Sequence, residues 1–447
     1  MSDLKKCYIF LYFGYTRALP NVDEPVYFDS KEEMQALMDL YFPANLLPPP
    51  NETFHDKLSD EGLMKIAFYG IGQTILKKFT DNQKITYEVD TTVLSDLETR
   101  PEYEMYGANA FFGGDKKILH IFVSSLNKIV KPGDTEWNHA KWVWKVSLLS
   151  YVTIGPHLVE AHWIVSNIAL IATRTTLGAE HCIRRVLKVF QYNTGMVNYK
   201  STLFLSVEDG FLHRLTGLTY EALGNGFKTF AENFKYETFP DFVASKGLNE
   251  ETCIPIVTDG IPVWNVFKKF FKSYVDIFYQ DDSEILADLE LVAFWECIDA
   301  RGNFGSPWSY GLPKLGKESL IDYLTHVAFV VTAWHEQVGY VIQYMETPDP
   351  IGFKIRPGKE ELDVQAFVQG LCLVGLTGLN KPMLISNWKH LLPSNPNVHK
   401  LHTELMKDLN QLTKDIEDLN ITAPDNPKRP HASQIFNPKF FETSISL

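Results

Sequence analysis

Two long stretches of apolar residues dominate the hydrophobic pattern of the chain. The first runs from Pro156 to Asn198, and nine consecutive residues within it, Ile164 to Ala172, include only two polar side chains. The second runs from Leu320 to Tyr344 and is similarly apolar. Runs of this length are too long for strands, so they predict two long helices that are buried over most of their surface.

Helical periodicity recurs in most of the remaining chain, and short alternating patterns near the N-terminus predict strands. Helices are predicted at Lys31–Tyr41, Asp56–Thr80, Glu136–Val152, Tyr220–Tyr236, Val263–Phe278, Ser283–Ile298, Asp363–Leu379 and Val398–Leu419. Strands are predicted at Cys7–Tyr15, Tyr87–Asp96 and Lys117–Ser125. The pattern therefore predicts a mainly α protein with minor β-structure near the N-terminus. No repeat, low-complexity linker or composition change marks a second domain, so residues 1–447 are predicted to form a single large domain.

The composition is that of a folded, acidic protein. Of the 447 residues, 45% are hydrophobic and 22% are charged, and the net charge is −13. Nucleic-acid binding is disfavoured, because an acidic chain without a basic cluster has little with which to neutralise phosphates. The five cysteines are widely spaced and lack a CxxC motif, which is typical of reduced thiols in an intracellular protein. Without a long apolar span or a cleavable leader, a cytoplasmic location without stable membrane insertion is expected.

Histidines in the two apolar stretches provide the candidate chemistry. His157 and His162 lie five residues apart in the first stretch, and His335 lies in the middle of the second. A buried imidazole needs a polar partner. On a regular α-helix, residues five apart point in different directions, so His157 and His162 converge only if the helix contains a π-turn, a distortion that favours functional sites. Ordinary core or surface histidines are the alternative, because this spacing arises easily by chance.

Longer segments around these histidines resemble the lipoxygenase family. Beyond the HxxxxH pair, LGAEHCIRRVLKVFQYNTGMVN is similar to the family's L..HP(I/L)..LL.PH.RYT..IN, with His181 on its histidine and Asn198 on its asparagine. FLSVEDGFLHRLTG resembles the L(I/L)..GG..D.....G that follows, and the sequence closes on the apolar Leu447. The resemblance covers roughly residues 136–447 and implies a lipoxygenase-type helical catalytic domain with two long buried central helices. It is closest to the minimal members without an N-terminal β-barrel (PLAT) domain, with residues 1–135 as a divergent N-terminal part.

The resemblance implies a non-haem iron site. In the family, three histidines from two such helices and the carboxylate of the final residue hold the metal, which assigns the ligands here as His157, His162, His335 and Leu447. Imidazole and carboxylate ligands suit iron that changes oxidation state, and manganese is the alternative metal. No catalytic side chain beyond the metal centre is expected. Each ligand histidine is expected to donate its second N–H to a backbone carbonyl or an amide.

The implied reaction is the dioxygenation of a polyunsaturated fatty acid. A ferric hydroxide would take a hydrogen atom from the methylene of a 1,4-pentadiene, and O2 would add to the radical to give a hydroperoxide, an oxylipin. Positions that match the family assign Ser201, Leu205 and Leu212 to the substrate pocket, with Thr153 and Gln343 as polar neighbours of the metal. Core packing is the alternative role for the two leucines. The expected partners are the fatty acid and O2, with only transient membrane contact.

Departures from the family pattern lie close to the expected metal. Gly339 stands where the family normally has a fourth side-chain ligand, so water must fill that position or the coordination number falls. Ser201 replaces the Ala or Gly that influences which face of the substrate receives oxygen, and its size favours S-type oxygenation. Two alternatives therefore stay open: a fatty-acid hydroperoxide isomerase or specialised polyene oxygenase, and a non-catalytic lipid-binding descendant. The other histidine group, His390, His399 and His402, lacks the carboxylate spacing of a zinc site.

Overall fold

The structure is a computed structural model that describes residues 59–79, 85–301, 309–339, 353–355 and 382–445. The strand expected at Cys7–Tyr15 and the helices expected at Lys31–Tyr41 and Asp363–Leu379 lie outside these residues. The chain forms two compact units. The first comprises Met1–Gly155, Tyr199–Thr229 and Tyr340–Asn380, and the second comprises Pro156–Asn198, Phe230–Gly339 and Lys381–Leu447. The assignment of residues 1–447 to one domain without an N-terminal barrel stays a prediction.

Helices make up most of the described chain, which confirms the mainly α prediction. They are α1 Asp60–Tyr69, α2 Trp137–Val152, α3 Asn167–Thr176, α4 Cys182–Leu187, α5 Thr194–Phe204, α6 Phe211–Leu215, α7 Tyr220–Asn233, α8 Phe239–Ser245, α9 Pro255–Thr258, α10 Gly260–Phe278, α11 Asp282–Ala287, α12 Leu289–Arg301, α13 Lys317–Phe329, α14 His335–Gly339 and α15 Pro396–Ile421. The long helix predicted at Ser283–Ile298 is two helices, because the Asp288 side chain accepts a hydrogen bond from the backbone N–H of Leu291 and begins α12 anew. None of the helices in the described ranges has the length and apolarity needed to cross a membrane.

The first unit contains a five-stranded antiparallel sheet. Its strands are β1 Lys77–Lys78, β2 Tyr87–Asp90, β3 Ala108–Phe112, β4 Ile118–Val123 and β5 Lys128–Val130, paired in chain order. The strand predicted at Tyr87–Asp96 stops at Asp90, whose carboxylate accepts a hydrogen bond from the N–H of Thr92 and turns the chain. Helix α2 packs against the sheet, and the indole of Trp144 donates to the carbonyl of Val89 at 3.1 Å.

The second unit is helical around an aromatic core. Helix α10 packs against both α13 and α15. At its first residue, Gly260, a Cβ atom would lie 2.8 Å from the ring of Phe239, so the close approach of α8 requires glycine. The preceding residue, Asp259, forms a fully buried ion pair with Arg429 at 2.7 and 2.5 Å. That pair fixes the stretch after α15 to the start of α10.

Two helical runs carry the histidines that sequence analysis selects. The first comprises α2, a π-helical segment at Thr153–Ser166, and α3. The second comprises α13, a shorter π-helical segment at Val330–Trp334, and α14. Most residues of both runs are buried. The prediction of two long buried helices is therefore confirmed.

Candidate metal centre

The first helical run is wound as a π-helix where it carries His157 and His162. The π-helical segment contains Pro156, which has no N–H to donate to an α-helical hydrogen bond and whose ring collides with the preceding turn. The wider winding relieves that conflict. It also brings residues five apart toward the same side, since π-helical hydrogen bonds join residue i to residue i+5. The predicted π-turn is confirmed, and Pro156 lies within it.

The second helical run has its own π-helical segment directly before His335. All five of its residues, Val330 to Trp334, are buried. The hydroxyl of Thr332 donates a hydrogen bond to the carbonyl of Ala328 at 2.6 Å, so this polar side chain has its partner within the helix. The regular apolar pattern of the stretch gives no sign of this distortion, and sequence analysis missed it.

The three histidine rings converge. The Nε2 atoms of His157 and His162 are 3.2 Å apart, those of His157 and His335 are 3.2 Å apart, and those of His162 and His335 are 3.1 Å apart. A point equidistant from the three atoms lies about 1.8 Å from each in their plane. An ion slightly out of that plane therefore fits at the roughly 2.0–2.1 Å typical of metal–imidazole bonds. Among the described residues these three are the one group of histidine, cysteine and carboxylate side chains placed to hold a metal ion.

Asn198 fixes the tautomer of His162. Its amide nitrogen donates to the backbone carbonyl of His162 at 2.9 Å, so its Oδ1 atom is the acceptor that lies 3.0 Å from His162 Nδ1. The Nδ1 atom must then carry the hydrogen, which leaves the lone pair of the neutral ring on Nε2, directed at the other two histidines. The expected second N–H donation to an amide is confirmed for this histidine.

Burial keeps His162 neutral. The ring is 3% exposed, and desolvation lowers its pKa to about 4 from an ordinary value of 6.5, although the Asn198 hydrogen bond works in the opposite direction. His335 is also buried, at 6% exposure, and His157 is partly buried. A neutral imidazole is the form that binds metal ions, so the site is ready to bind one at neutral pH without first losing a proton from His162.

Gly339 borders the histidine cluster. A Cβ atom built on it would lie 3.2 Å from His157 Nε2 and 3.6 Å from two ring atoms of His335. Any side chain at this position would therefore enter the cluster, as the family resemblance implies for a fourth ligand. Glycine contributes no donor atom, so three imidazoles are the side-chain donors that the described residues provide.

The C-terminal tail is buried up to the last described residue. Phe441, Ser444 and Ile445 are each 0% exposed. Ser444 donates its hydroxyl to the carbonyl of Tyr192 at 2.6 Å, and Thr194 donates to the carbonyl of Ile445 at 3.3 Å. Leu447 lies outside the described residues, so its carboxylate stays a prediction.

Of the predicted substrate-pocket residues, Thr153, Ser201, Leu205 and Leu212 belong to the first unit. Gln343 lies outside the described residues. Ser201, Leu205 and Leu212 are neighbours: the N–H of Leu205 donates to the carbonyl of Ser201, and the N–H of Leu212 donates to that of Leu205. Leu212 is 2% exposed and Leu205 is partly buried. The hydroxyls of Thr153 and Ser201 are buried and have no hydrogen-bond partner within the described part of the chain. Their contact with substrate stays a prediction.

His181 has a structural role. Its Nδ1 atom accepts a hydrogen bond from the N–H of Ile183 and caps α4, while its Nε2 atom pairs with Asp288 at 3.0 Å. His402 packs edge-on against Trp388, with ring centroids 4.3 Å apart. Together with His390 and His399 it is not among the residues placed to hold a metal ion in the described part of the chain.

Sequence analysis missed Glu160, a titratable residue in the same π-helical segment. Burial raises the pKa of its carboxyl to about 7, and the nearby Lys246 only partly offsets this effect. Glu160 is not among the converging side chains. It is one residue in an apolar stretch that the hydrophobic pattern alone gives no reason to single out.

The comparisons with known proteins agree with this geometry. A family model described as Lipoxygenase matches residues 116–348, just over half of the chain. Lipoxygenase 7, chloroplastic, of Oryza sativa subsp. japonica is 24% identical over 278 residues, which cover 53% of this chain and 29% of that protein. The Linoleate 9/13-lipoxygenase of Pseudomonas aeruginosa is 25% identical over 232 residues, which cover 49% of this chain and 33% of that protein. The matched region thus spans a third or less of these curated relatives.

Solved structures show the same fold. The anaerobic crystal structure of delta413-417:GS LOX in complex with arachidonate superposes with a TM-score of 0.81 at 16% identity, covering 100% of this chain and 74% of that one. At this identity the likeness concerns the fold, and it confirms the predicted lipoxygenase-type helical architecture. The family model adds what the fold alone does not: the chain belongs to the lipoxygenase family, whose members are dioxygenase oxidoreductases.

Proposed function

We propose that the protein is a non-haem iron dioxygenase that inserts O2 into a polyunsaturated fatty acid. The observation that carries the proposal is the convergence of three imidazole Nε2 atoms within 3.2 Å of one another. Asn198 leaves the lone pair of the His162 ring on Nε2, at 3.1–3.2 Å from the other two Nε2 atoms. A cation bound between the three rings would account for all three contacts at once, which argues against a non-catalytic lipid-binding descendant.

The proposed ligands are His157, His162, His335 and the terminal carboxylate of Leu447. This donor set of imidazoles and a carboxylate suits iron, with manganese as the alternative. Bound iron would supply the one-electron redox couple that hydrogen abstraction from a 1,4-pentadiene requires. Asn198 supports His162 as a ligand, because it holds the ring in the tautomer and orientation that metal binding needs.

The proposed substrate is a long acyl chain with 1,4-pentadiene units, and the product is its hydroperoxide. One relative is named a linoleate lipoxygenase and one structural neighbour contains arachidonate. The histidines stand in apolar helical segments, where Leu158 and Val331 are each 3% exposed or less, and such surroundings suit an acyl chain. We assign the pocket wall to Ser201, Leu205 and Leu212, with Thr153 and Gln343 as polar neighbours. The buried, unpartnered hydroxyls of Thr153 and Ser201 support that assignment, since buried donors generally have a partner.

A second candidate function is isomerisation of a fatty-acid hydroperoxide by the same iron. Gly339 supports it, because a metal bound without a fourth side-chain donor would have different redox properties from one bound with it. The cytoplasmic location and the transient membrane contact stay predictions.

The test uses the full chain, produced with iron and freed of loosely bound metal. We expect about one iron per chain, and conjugated-diene absorbance and O2 uptake when linoleate is added. Conversion of a linoleate hydroperoxide without O2 uptake would instead establish the isomerase. Iron content near zero in the wild-type protein would contradict both functions. His162→Gln is the loss-of-site variant, and His390→Gln, which replaces an exposed histidine, is its matched control.

A further inference from the structure

The beginning of helix α5 contacts both the histidine cluster and the C-terminal tail. Thr194 and Asn198 are four residues apart on this helix, so their side chains lie on the same face. The side-chain amide of Asn198 accepts a hydrogen bond from Nδ1 of His162 at 3.0 Å and donates one to the backbone carbonyl of His162 at 2.9 Å. Thr194 donates its hydroxyl to the carbonyl of Ile445. One helical turn therefore joins a proposed metal ligand to the end of the chain.

A second hydrogen bond runs in the opposite direction across the same contact. The hydroxyl of Ser444 donates to the carbonyl of Tyr192 at 2.6 Å, next to the 3.3 Å bond from Thr194 to Ile445. Thr194, Ser444 and Ile445 are all 0% exposed. Because water does not compete for these buried groups, each hydrogen bond restrains the tail more strongly than the same bond would at the surface. We call these two bonds the tail clamp.

Upstream of the clamp, backbone pairing holds the tail. The N–H of Leu384 donates to the carbonyl of Phe441, and the N–H of Thr443 donates to the carbonyl of Pro382, both at 2.8 Å. These bonds fix the direction of the tail but stop at residue 443. The tail clamp adds hydrogen bonds at residues 444 and 445.

We propose that Thr194 and Ser444 are positioning residues that set where the chain terminus lies relative to His162. The inference rests on the proposed function, in which the carboxylate of Leu447 binds the metal. Two residues reach at most about 7 Å when fully extended, so fixing Ile445 confines the terminal carboxylate to a small volume. If the carboxylate is held there before the metal binds, metal binding does not have to order the tail and so loses less conformational entropy. Through Asn198, the same helix also fixes His162, so the position of the ring and that of the tail are set by one element.

Removing either hydroxyl should release the tail without disturbing the histidines. Thr194→Val keeps the shape of the side chain but leaves the carbonyl of Ile445 buried without its donor, an arrangement that proteins avoid. Ser444→Ala does the same to the carbonyl of Tyr192. Thr194→Ser keeps the hydroxyl and should behave as wild type. Thr403→Val and Ser245→Ala are matched controls, because these exposed hydroxyls bond only to carbonyls of their own helices.

The first readout is amide hydrogen exchange of the peptide covering residues 436–447, measured in iron-free protein. The second is the rate at which a chelator removes iron from the loaded protein. We expect roughly tenfold faster exchange at residues 443–447 in Thr194→Val and Ser444→Ala, and about 10–100-fold faster iron loss, as is typical when a residue supporting a ligand is removed. Both controls and Thr194→Ser should match wild type.

The inference is overturned if wild-type protein holds iron and the two variants lose it at the wild-type rate, whatever their exchange. It is also overturned if exchange of the tail is unchanged, because the clamp then holds nothing. Failure of the proposed function looks different: the wild-type protein itself takes up no iron, and the positioning role falls with it. A variant that loses iron quickly and also shows faster exchange throughout the chain is unfolded. In that case Thr194→Ser provides the test: because it keeps the hydroxyl, the inference requires that it lose iron as slowly as wild type.

Discussion

Two buried histidines on the same helical run meet very different surroundings. His335 is 6% exposed, and its Nε2 atom lies 3.1 and 3.2 Å from those of two other histidines. His326, nine residues earlier, is 7% exposed and lies against the ring of Tyr236 at 5.0 Å between centroids. Its Nε2 atom has no hydrogen-bond partner in the described ranges. Burial of an imidazole is common to both positions, so convergence of several rings, rather than burial, distinguishes the candidate metal site.

The largest expected difference between the two positions is in metal content. His335→Gln should reduce bound iron far more than the ~10–100-fold loss of affinity typical of a supporting residue, because a direct donor is removed. His326→Gln should leave iron near the wild-type level. Iron per chain after gel filtration measures both. Equal iron in the two variants would mean that convergence has no bearing on metal binding.

A smaller effect is expected from the partner that orients a ligand. Asn198→Ala removes the acceptor for His162 Nδ1 and the donor to the His162 carbonyl, so iron affinity should fall by about 10–100-fold while the protein stays folded. The matched control is Asn410→Ala, an exposed amide that bonds to a carbonyl of its own helix. Chelator competition provides the affinities. Unchanged affinity in Asn198→Ala would show that the tautomer of His162 is set by something else.

The third prediction concerns pH and uses His326, which is not one of the three converging histidines. Burial lowers the pKa of His326 to about 4. An unfolded histidine titrates near 6.5, so between these values the unfolded chain binds more protons and stability falls as the pH is lowered. This one residue should cost about 2 kcal/mol of unfolding free energy between pH 7 and pH 5.

Urea unfolding of iron-free protein at the two pH values checks this prediction. His326→Gln should lose about 2 kcal/mol less than wild type on acidification. His390→Gln, at an exposed histidine, is the matched control. A pH dependence in His326→Gln that equals that of wild type would mean that His326 is not held neutral by burial.

The smallest effect is expected at Gly339. Gly339→Ala places a methyl group 3.2 Å from His157 Nε2, so that ring must shift by a few tenths of an ångström. Iron should then dissociate a few-fold faster, equivalent to about 1 kcal/mol. Gly339→Ser adds the same Cβ together with an oxygen donor and should recover part of that loss. Dissociation rates that are identical in Gly339→Ala and wild type would mean that this position does not border the metal.

The hydrophobic pattern predicts helices well where the period is regular and partners are local. The helix expected at Val398–Leu419 is observed at Pro396–Ile421, and the one expected at Glu136–Val152 at Trp137–Val152. Strand β3 was missed because its residues, Ala108–Phe112, are nearly all buried and do not alternate. A strand buried on both faces shows no period of two, so only its sheet partners reveal it.

The site was predicted partly from residues and partly from resemblance. The spacing of His157 and His162 indicates, on physical grounds, that the two rings converge only if the helix is wound as a π-helix between them. The assignment of His335 as a ligand rests on the resemblance. The apolar pattern alone does not separate it from His326, which lies in the same helical run. The contacts of Thr194 and Ser444 join residues about 250 positions apart in the chain. No local pattern encodes such a pairing, so it becomes visible only in the folded chain.

The most direct test of the metal centre is anomalous diffraction at the iron absorption edge, from crystals of the full chain grown with iron. We predict one strong peak per chain, bounded by the Nε2 atoms of His157, His162 and His335, with a further oxygen ligand at the chain terminus. A map without a peak among these three atoms, or with iron bound elsewhere, would contradict the assignment.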